Sequence, residues 1–397
     1  MVSDNSGNAE DAGGPFMIPY GHQSISEDDK LAVLRVLESD FLTQGPEVEA
    51  FEHALCAYTG AKYCVCVSNG TAALHIAVAA LEIPEKSCGI TSPITFAASA
   101  NCMIYNGMIP VFADIDPVTN CLDPEKTEDK ITPQTRLLIP VHYAGAVCDM
   151  ARFAEIARKH HLHIIEDAAH AIGSEYAEGG KVGCCKYSDM TIFSFHPVKT
   201  ITCGEGGAVM TNDPGLYERL KMLRSHGITK NGMLQNPGPW YYEMQMLGFN
   251  YRMTDLQAAL GRSQLARIDS FASARRKIVS LYNRVFSGIS CLSVPSDAAL
   301  DRECRHLYPL RIDFSSLKKS RKDFMFDLKS LDIGTQVHYI PVYWLPYYEK
   351  RFGCRKGMCP EAESFYEQEL SLPLYPAMTE EDSDRVISGV KECIRSV

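Results

Sequence analysis

The chain is short of positive charge, of paired cysteines and of long apolar runs, and each shortage closes off a class of function. Lys and Arg number 39 against 49 Asp and Glu, a formal net charge of −10. A phosphate backbone is bound by clustered cations, so nucleic acid is not expected as the main partner, although a local basic pocket for a nucleotide sugar is still allowed. The 15 cysteines include no Cys-x-x-Cys pair, and several, such as Cys64 and Cys66, lie inside apolar runs. That pattern points to reduced, buried thiols in a cytoplasmic protein and away from a disulfide framework or a metal site. No apolar stretch reaches the roughly 18 residues that span a bilayer, so no membrane partner is expected. The N-terminus lacks the basic and apolar regions of a signal peptide, and residues 1–15, polar, acidic and glycine-rich, are expected to form a disordered extension.

What is present reads as an ordinary soluble globule, with 46% hydrophobic and 22% charged residues, long enough at 397 residues for two packed lobes. Ser26-Glu27-Asp28-Asp29 has the form of a capping box opening a helix through Leu31, Leu34 and Leu37. Strand-like runs at 63–67, 88–91, 110–113, 137–141 and 162–166 then alternate with helical ones, which predicts a mainly parallel sheet covered on both faces. Two more apolar runs, 190–195 and 208–211, follow. After about residue 269 the texture changes. Runs 307–312 and 335–339 alternate as strands, and helices are expected near 321–331, 362–369 and 380–394. The spacing therefore predicts a large unit over 16–268 and a smaller α+β unit over 269–397.

Lys199 is the first candidate for chemistry. It follows Ser194-Phe195-His196-Pro197-Val198 and precedes Gly204-Glu205-Gly206-Gly207, on the connection between two predicted strands. A lysine held against apolar walls loses solvation as a cation, and its neutral amine can attack a carbonyl. By itself the segment also fits an exposed loop lysine. Asp167 ends the buried run Leu162-His163-Ile164-Ile165-Glu166-Asp167, where ligands of parallel sheets lie. It could keep a pyridine nitrogen protonated, or equally cap a helix. Ser68-Asn69-Gly70-Thr71-Ala72-Ala73 follows a predicted strand and opens a helix, an arrangement suited to a phosphate, though Ser-Asn-Gly is also a common turn. In that order, the cradle, the acid and the lysine describe a site for pyridoxal 5′-phosphate.

The chain resembles the DegT/DnrJ/EryC1/StrS family of sugar aminotransferases from about Ile18 to the C-terminus. The motifs are Ser68-Asn69-Gly70-Thr71-Ala72-Ala73-Leu74-His75, Glu166-Asp167-Ala168-Ala169-His170-Ala171, Ser194-Phe195-His196-Pro197-Val198-Lys199 with Gly204-Glu205-Gly206-Gly207, and Gly248-Phe249-Asn250-Tyr251-Arg252-Met253. The resemblance implies the aspartate aminotransferase fold (fold type I), with a seven-stranded sheet domain and a smaller α+β domain. It implies Lys199 and Asp167 as catalytic residues. Gly70, Thr71, Phe96, His170 and Ser194 would join them around the cofactor, with Asn250 reaching in from the partner subunit of a homodimer. Trp240-Tyr241-Tyr242-Glu243-Met244-Gln245 and Gln336-Val337-His338-Tyr339-Ile340-Pro341-Val342-Tyr343 are similar to the branch that aminates a UDP-linked 4-keto-6-deoxy-N-acetyl sugar toward pseudaminic acid. L-Glutamate is the donor that this resemblance implies, and His338, Tyr339 and Tyr343 are the expected sugar contacts. Cys203 stands where many relatives have threonine, a change that could alter a hydrogen bond near the loop.

Rival readings have their own residues. Other nucleotide 4-keto or 3-keto deoxysugars are possible acceptors. Asp114-Ile115-Asp116 could carry the metal and diphosphate of a glycosyltransferase. His160, His161 and His163 could be metal ligands, but the first two suit a helix C-terminus, and no metal site is expected. A cofactor-binding regulator without transamination is a third class, against which the retained Lys199 argues.

Overall fold

The structure, a computed structural model, describes residues 17–395 except 231 and 236; the extension expected over 1–15 lies outside them. Seven strands build the central sheet: β1 (Tyr63–Val67), β2 (Cys88–Thr91), β3 (Ile109–Phe112), β4 (Thr135–Ile139), β5 (His163–Asp167), β6 (Met190–Ser194) and β7 (Gly207–Thr211). They lie in the order β1-β7-β6-β5-β4-β2-β3. The pairings from β3 through β6 are parallel, whereas β7 runs antiparallel to both β6 and β1. A return without a crossover helix is possible because only the loop 195–206 joins β6 to β7. Most residues of these strands are buried, Arg136 in β4 being an exposed exception.

Four helices prepare the site: α1 (Glu27–Leu37), α2 (Pro46–Thr59), α3 (Gly70–Ala80) after β1, and α4 (Ala98–Tyr105) after β2. The capping box expected at Ser26 and Asp29 is formed. A second, antiparallel sheet joins Leu292–Ser293, Tyr308–Ile312 and Glu369–Leu372, with the helices Ile268–Phe286, Arg321–Ser330 and Glu380–Arg395 in the same part of the chain. Two apolar clusters result. One surrounds the central sheet and takes in Tyr343, Tyr348 and Phe365; the other surrounds the small sheet and takes in Ile18, Phe324 and Val386.

The strand expected over 335–339 does not form. Gln336 alone pairs at the sheet edge, exchanging backbone bonds of 3.2 and 2.8 Å with Ser371, and the chain then turns so that His338 and Tyr339 line a cavity. The edge partner is instead Glu369–Leu372, whose first residue was expected to end a helix. No helix among the described residues is long and apolar enough to cross a membrane.

Candidate active site

The site begins where β1 gives way to α3. Asn69 caps the helix: its side chain accepts the Ala72 N–H at 2.8 Å, and its carbonyl accepts the Ala73 N–H at 3.1 Å. The N–H groups of Gly70 and Thr71 are left without protein acceptors among the described residues, at the positive end of the helix, on the wall of a cavity of about 870 Å³. A β-carbon on Gly70 would sit 2.8 Å from Ser194 Cβ, and one on Gly207 would sit 2.5 Å from the Asn69 carbonyl oxygen. Glycine at both places lets the helix start, the end of β6 and the Ser194 hydroxyl close around one small anion.

Asp167 enters the same cavity from the end of β5. Its Oδ2 accepts the Ser99 hydroxyl at 2.6 Å, and its Oδ1 accepts the Ala169 N–H at 3.1 Å. Both bonds aim the carboxylate. Lys199 lies on the loop after β6, which is pinned by Phe195 N–H to Gly206 O (2.8 Å), Cys203 N–H to Phe195 O (3.0 Å) and Lys199 N–H to His196 O (2.9 Å). Burial among the cavity walls pushes the Lys199 amine down to about 8, with the Asp167 carboxylate acting the other way.

In the same cavity, His170 Nδ1 accepts the Ala144 N–H at 3.3 Å, so Nε2 carries the ring hydrogen, 3.2 Å from the Tyr339 hydroxyl. Burial, helped by the charge of Lys199, keeps this imidazole neutral. Phe96 projects an aromatic ring that is 64% exposed at the cavity wall, an uncovered flat surface for a planar ligand.

Of the residues expected from sequence, Gly70, Thr71, Phe96, Asp167, His170, Ser194, Lys199, His338 and Tyr339 all line this one cavity. Tyr343 does not. It is fully buried against Phe112, and its hydroxyl donates to Glu363, so the expected sugar contact is a core residue. Asn250 is exposed on a loop bridged to Ser225, outside the cavity of its own chain. Sequence reasoning missed Tyr20, Ser99 and His306. Ser99 could have been found, since it stands three positions after Phe96 at the start of α4; Tyr20 and His306 arrive from distant segments without a local signal.

The rival motifs have structural work. Asp114 caps the helix Pro360–Gln368 by accepting the N–H groups of Glu361 (3.0 Å) and Ala362 (2.9 Å), and Asp116 closes a turn through Val118 and Thr119. His160 meets Glu128 at 3.1 Å at its helix C-terminus, and His163 meets Asp189 at 3.3 Å. Cys203 is buried, with its sulfur facing Gly261, where an added β-carbon would be only 2.4 Å from it; the thiol lies outside the cavity lining.

The model of the DegT/DnrJ/EryC1/StrS aminotransferase family matches residues 23–391. This chain belongs to that family. It is 39% identical to the spore coat polysaccharide biosynthesis protein SpsC of Bacillus subtilis, over 95% of this chain and 97% of that one. It is 37% identical to the UDP-4-amino-4,6-dideoxy-N-acetyl-beta-L-altrosamine transaminase of Campylobacter jejuni, over 92% of this chain and 95% of that one. Among solved structures, Helicobacter pylori PseC, an aminotransferase of pseudoaminic acid biosynthesis, superposes with a TM-score of 0.89 at 32% identity, covering 96% of this chain and 100% of that one. The putative sugar aminotransferase Spr1654 of Streptococcus pneumoniae, in its pyridoxal phosphate form, superposes with a TM-score of 0.88 at 30% identity, covering 96% and 99%.

The fold is thus that of the type I pyridoxal phosphate aminotransferases, and the cofactor of this family is pyridoxal 5′-phosphate. The cavity fits it on its own chemistry: a glycine-walled anion cradle at one end, a fixed carboxylate, and a desolvated amine between apolar walls.

Proposed function

We propose that this sugar aminotransferase moves an amino group from L-glutamate to the C4 ketone of a UDP-linked 4-keto-6-deoxy-N-acetylhexosamine. The product would be the UDP-4-amino-4,6-dideoxy-N-acetyl sugar of a cytoplasmic pseudaminic acid route. The convergence of Lys199, Asp167 and the α3 N-terminus on one cavity carries the reading, and the relatives named for that sugar pathway support the choice of acceptor. Pyridoxal phosphate, when bound, supplies a carbon that alternates between aldehyde and amine and a ring that accepts electrons. The N–H groups of Gly70 and Thr71, with the hydroxyls of Thr71 and Ser194, hold its phosphate. Asp167, fixed by Ser99 and the Ala169 N–H, holds a proton at the ring nitrogen. Phe96 covers one ring face, and His170 offers Nε2–H to the phenolic oxygen. Lys199 Nζ removes the proton from the α-carbon of glutamate and, in the second half-reaction, delivers one to C4 of the sugar. A panel of nucleotide 4-keto and 3-keto deoxysugars, incubated with glutamate and followed by mass spectrometry, checks the acceptor. Amination of the UDP-4-keto-N-acetyl sugar with formation of 2-oxoglutarate is expected; amination of only another keto sugar would replace this acceptor.

The active unit in this reading is a homodimer. Asn250 follows a segment with exposed Leu234, Trp240, Met244 and Leu247, an apolar surface of the kind a partner covers. Asn250 would then reach the phosphate of the neighbouring site. Mixing Lys199→Ala with Asn250→Ala subunits should restore up to about a quarter of the wild-type activity, because one site in each hybrid keeps both residues. Mixtures as inactive as the parents would rule out sharing.

A further inference from the structure

Three groups outside the cofactor cradle form one hydrogen-bonded line that ends in the cavity. Glu369 opens the last strand of the small sheet and is fully buried. Its Oε2 accepts the backbone N–H of His338 at 2.8 Å, and its Oε1 lies 2.5 Å from the Ser371 hydroxyl. That hydroxyl lies 2.8 Å from Nδ1 of His338, whose carbonyl accepts the Tyr143 hydroxyl at 2.6 Å. His338 is therefore held at its N–H, its carbonyl and Nδ1. Nε2 points the other way; the residue lines the Lys199 cavity, and Nε2 has no protein partner among the described residues.

A hydroxyl between two titratable groups donates to one and accepts from the other. With Glu369 charged, Ser371 donates to it and accepts Nδ1–H, leaving Nε2 a bare acceptor. With Glu369 protonated, the carboxyl donates to Ser371, Ser371 donates to Nδ1, and Nε2 carries the hydrogen. The two states differ by one proton: taken up at Nε2, it moves the Nδ1 hydrogen to Ser371 and the Ser371 hydrogen to Glu369. We propose that Glu369 and Ser371 are positioning residues that fix the tautomer of His338, and that the protonated carboxyl makes Nε2–H a donor to an oxygen of the sugar. The sugar as recipient rests on the proposed function, but the tautomer itself does not.

The surroundings favour the protonated form near neutral pH. Burial pushes the Glu369 carboxyl up to about 8, against the pull of Ser371, the His338 N–H and Arg321. Burial and the charge of Lys199 hold the His338 imidazole down to about 3, so it stays neutral while the carboxyl titrates. The other groups around the carboxyl are the phenols of Tyr143 and Tyr339, and Arg321, whose guanidinium bonds the Glu369 carbonyl at 3.2 Å.

Nitrogen-15 spectra of histidine-labelled holoenzyme, with the His338 signals assigned by their loss in His338→Gln, read the tautomer without any sugar present. Well below pH 8 the hydrogen should sit on Nε2, and well above it on Nδ1. In Glu369→Gln the amide oxygen takes the His338 N–H and the amide NH₂ faces Ser371, so Nε2–H should persist at both pH values. Ser371→Ala should lose the switch and raise KM for the sugar about tenfold, with the glutamate half-reaction unchanged. A switch that survives in Glu369→Gln would belong to another group and overturn the proposal. Nδ1–H at both pH values in the wild type would overturn it too. Should Glu369→Gln fail to fold, the wild-type titration and Ser371→Ala decide. A sugar panel that fails while the tautomer switch holds would sink only the choice of acceptor.

Discussion

Exchanging Lys199 for arginine is expected to lower amino transfer by about a thousandfold or more, because in the proposed mechanism it removes both the group that joins the carbonyl carbon and the group that carries the proton. Arginine keeps length and charge, but its guanidinium stays protonated and can do neither task. The wild-type amine is prepared for both. With its pKa lowered from 10.5 to about 8, it holds about 300-fold more neutral amine at pH 7 than an ordinary lysine. Burial weakens the ammonium, but it stays the majority form below about pH 8, so capture of added cofactor by the apoprotein should quicken as pH rises through about 8 and then level off. Absorbance follows the capture, and borohydride reduction with peptide mapping should place the adduct on Lys199. An arginine variant turning over within about tenfold of the wild type, or an adduct on another lysine, would remove Lys199 from the chemistry.

The parts of this site that could be read from sequence are those set by local backbone order. Gly70 and Thr71 follow a strand and open a helix, Asp167 ends a largely buried strand that carries the apolar pair Ile164-Ile165, and Lys199 sits on a loop too short for a crossover. In each case the neighbouring residues declare the geometry. The parts that were hidden depend on segments that meet only in the fold. Glu369 looks like the polar end of a helix, and only the approach of His338 shows why an acid begins a fully buried strand. The alternation over 335–339 has the period of a strand, yet pairing stops after Gln336 because the chain leaves the sheet for the cavity. Tyr343 stands beside the expected sugar contacts in sequence, but the 3-10 turn Val342–Trp344 carries its ring into the core. Asp114 has the look of a metal ligand until the helix Pro360–Gln368 arrives to be capped.

Truncating His142 to alanine should destabilise the cofactor-free protein by about 3 kcal/mol, the range for losing a hydrogen bond to a charge that is left buried. Glu166 precedes Asp167 on β5 and therefore faces the opposite side of the sheet. Its carboxylate is fully buried and accepts His142 Nε2–H at 2.8 Å, Tyr176 at 2.7 Å, Thr191 at 3.0 Å and Ser188 at 2.5 Å. His142 Nδ1 accepts the Cys148 N–H at 3.1 Å, so the imidazole donates to Glu166 through Nε2. Burial alone would raise the Glu166 pKa, but His142, Ser188 and Tyr176 outweigh it and hold the carboxyl below the ordinary value. A depressed carboxylate contributes its stability in full above the unfolded pKa, about 4.3, and loses it as pH falls through the folded value. Without His142 the folded pKa rises, the contribution shrinks, and acid unfolding should begin at higher pH. Because Glu166 and Asp167 are consecutive, a shift in one re-aims the other, and cofactor affinity should fall although His142 lies outside the cavity lining. Urea unfolding at neutral pH and an acid titration followed by circular dichroism measure the two stability effects. A loss under about 1 kcal/mol with an unchanged acid midpoint would mean that the three hydroxyls hold Glu166 without the histidine.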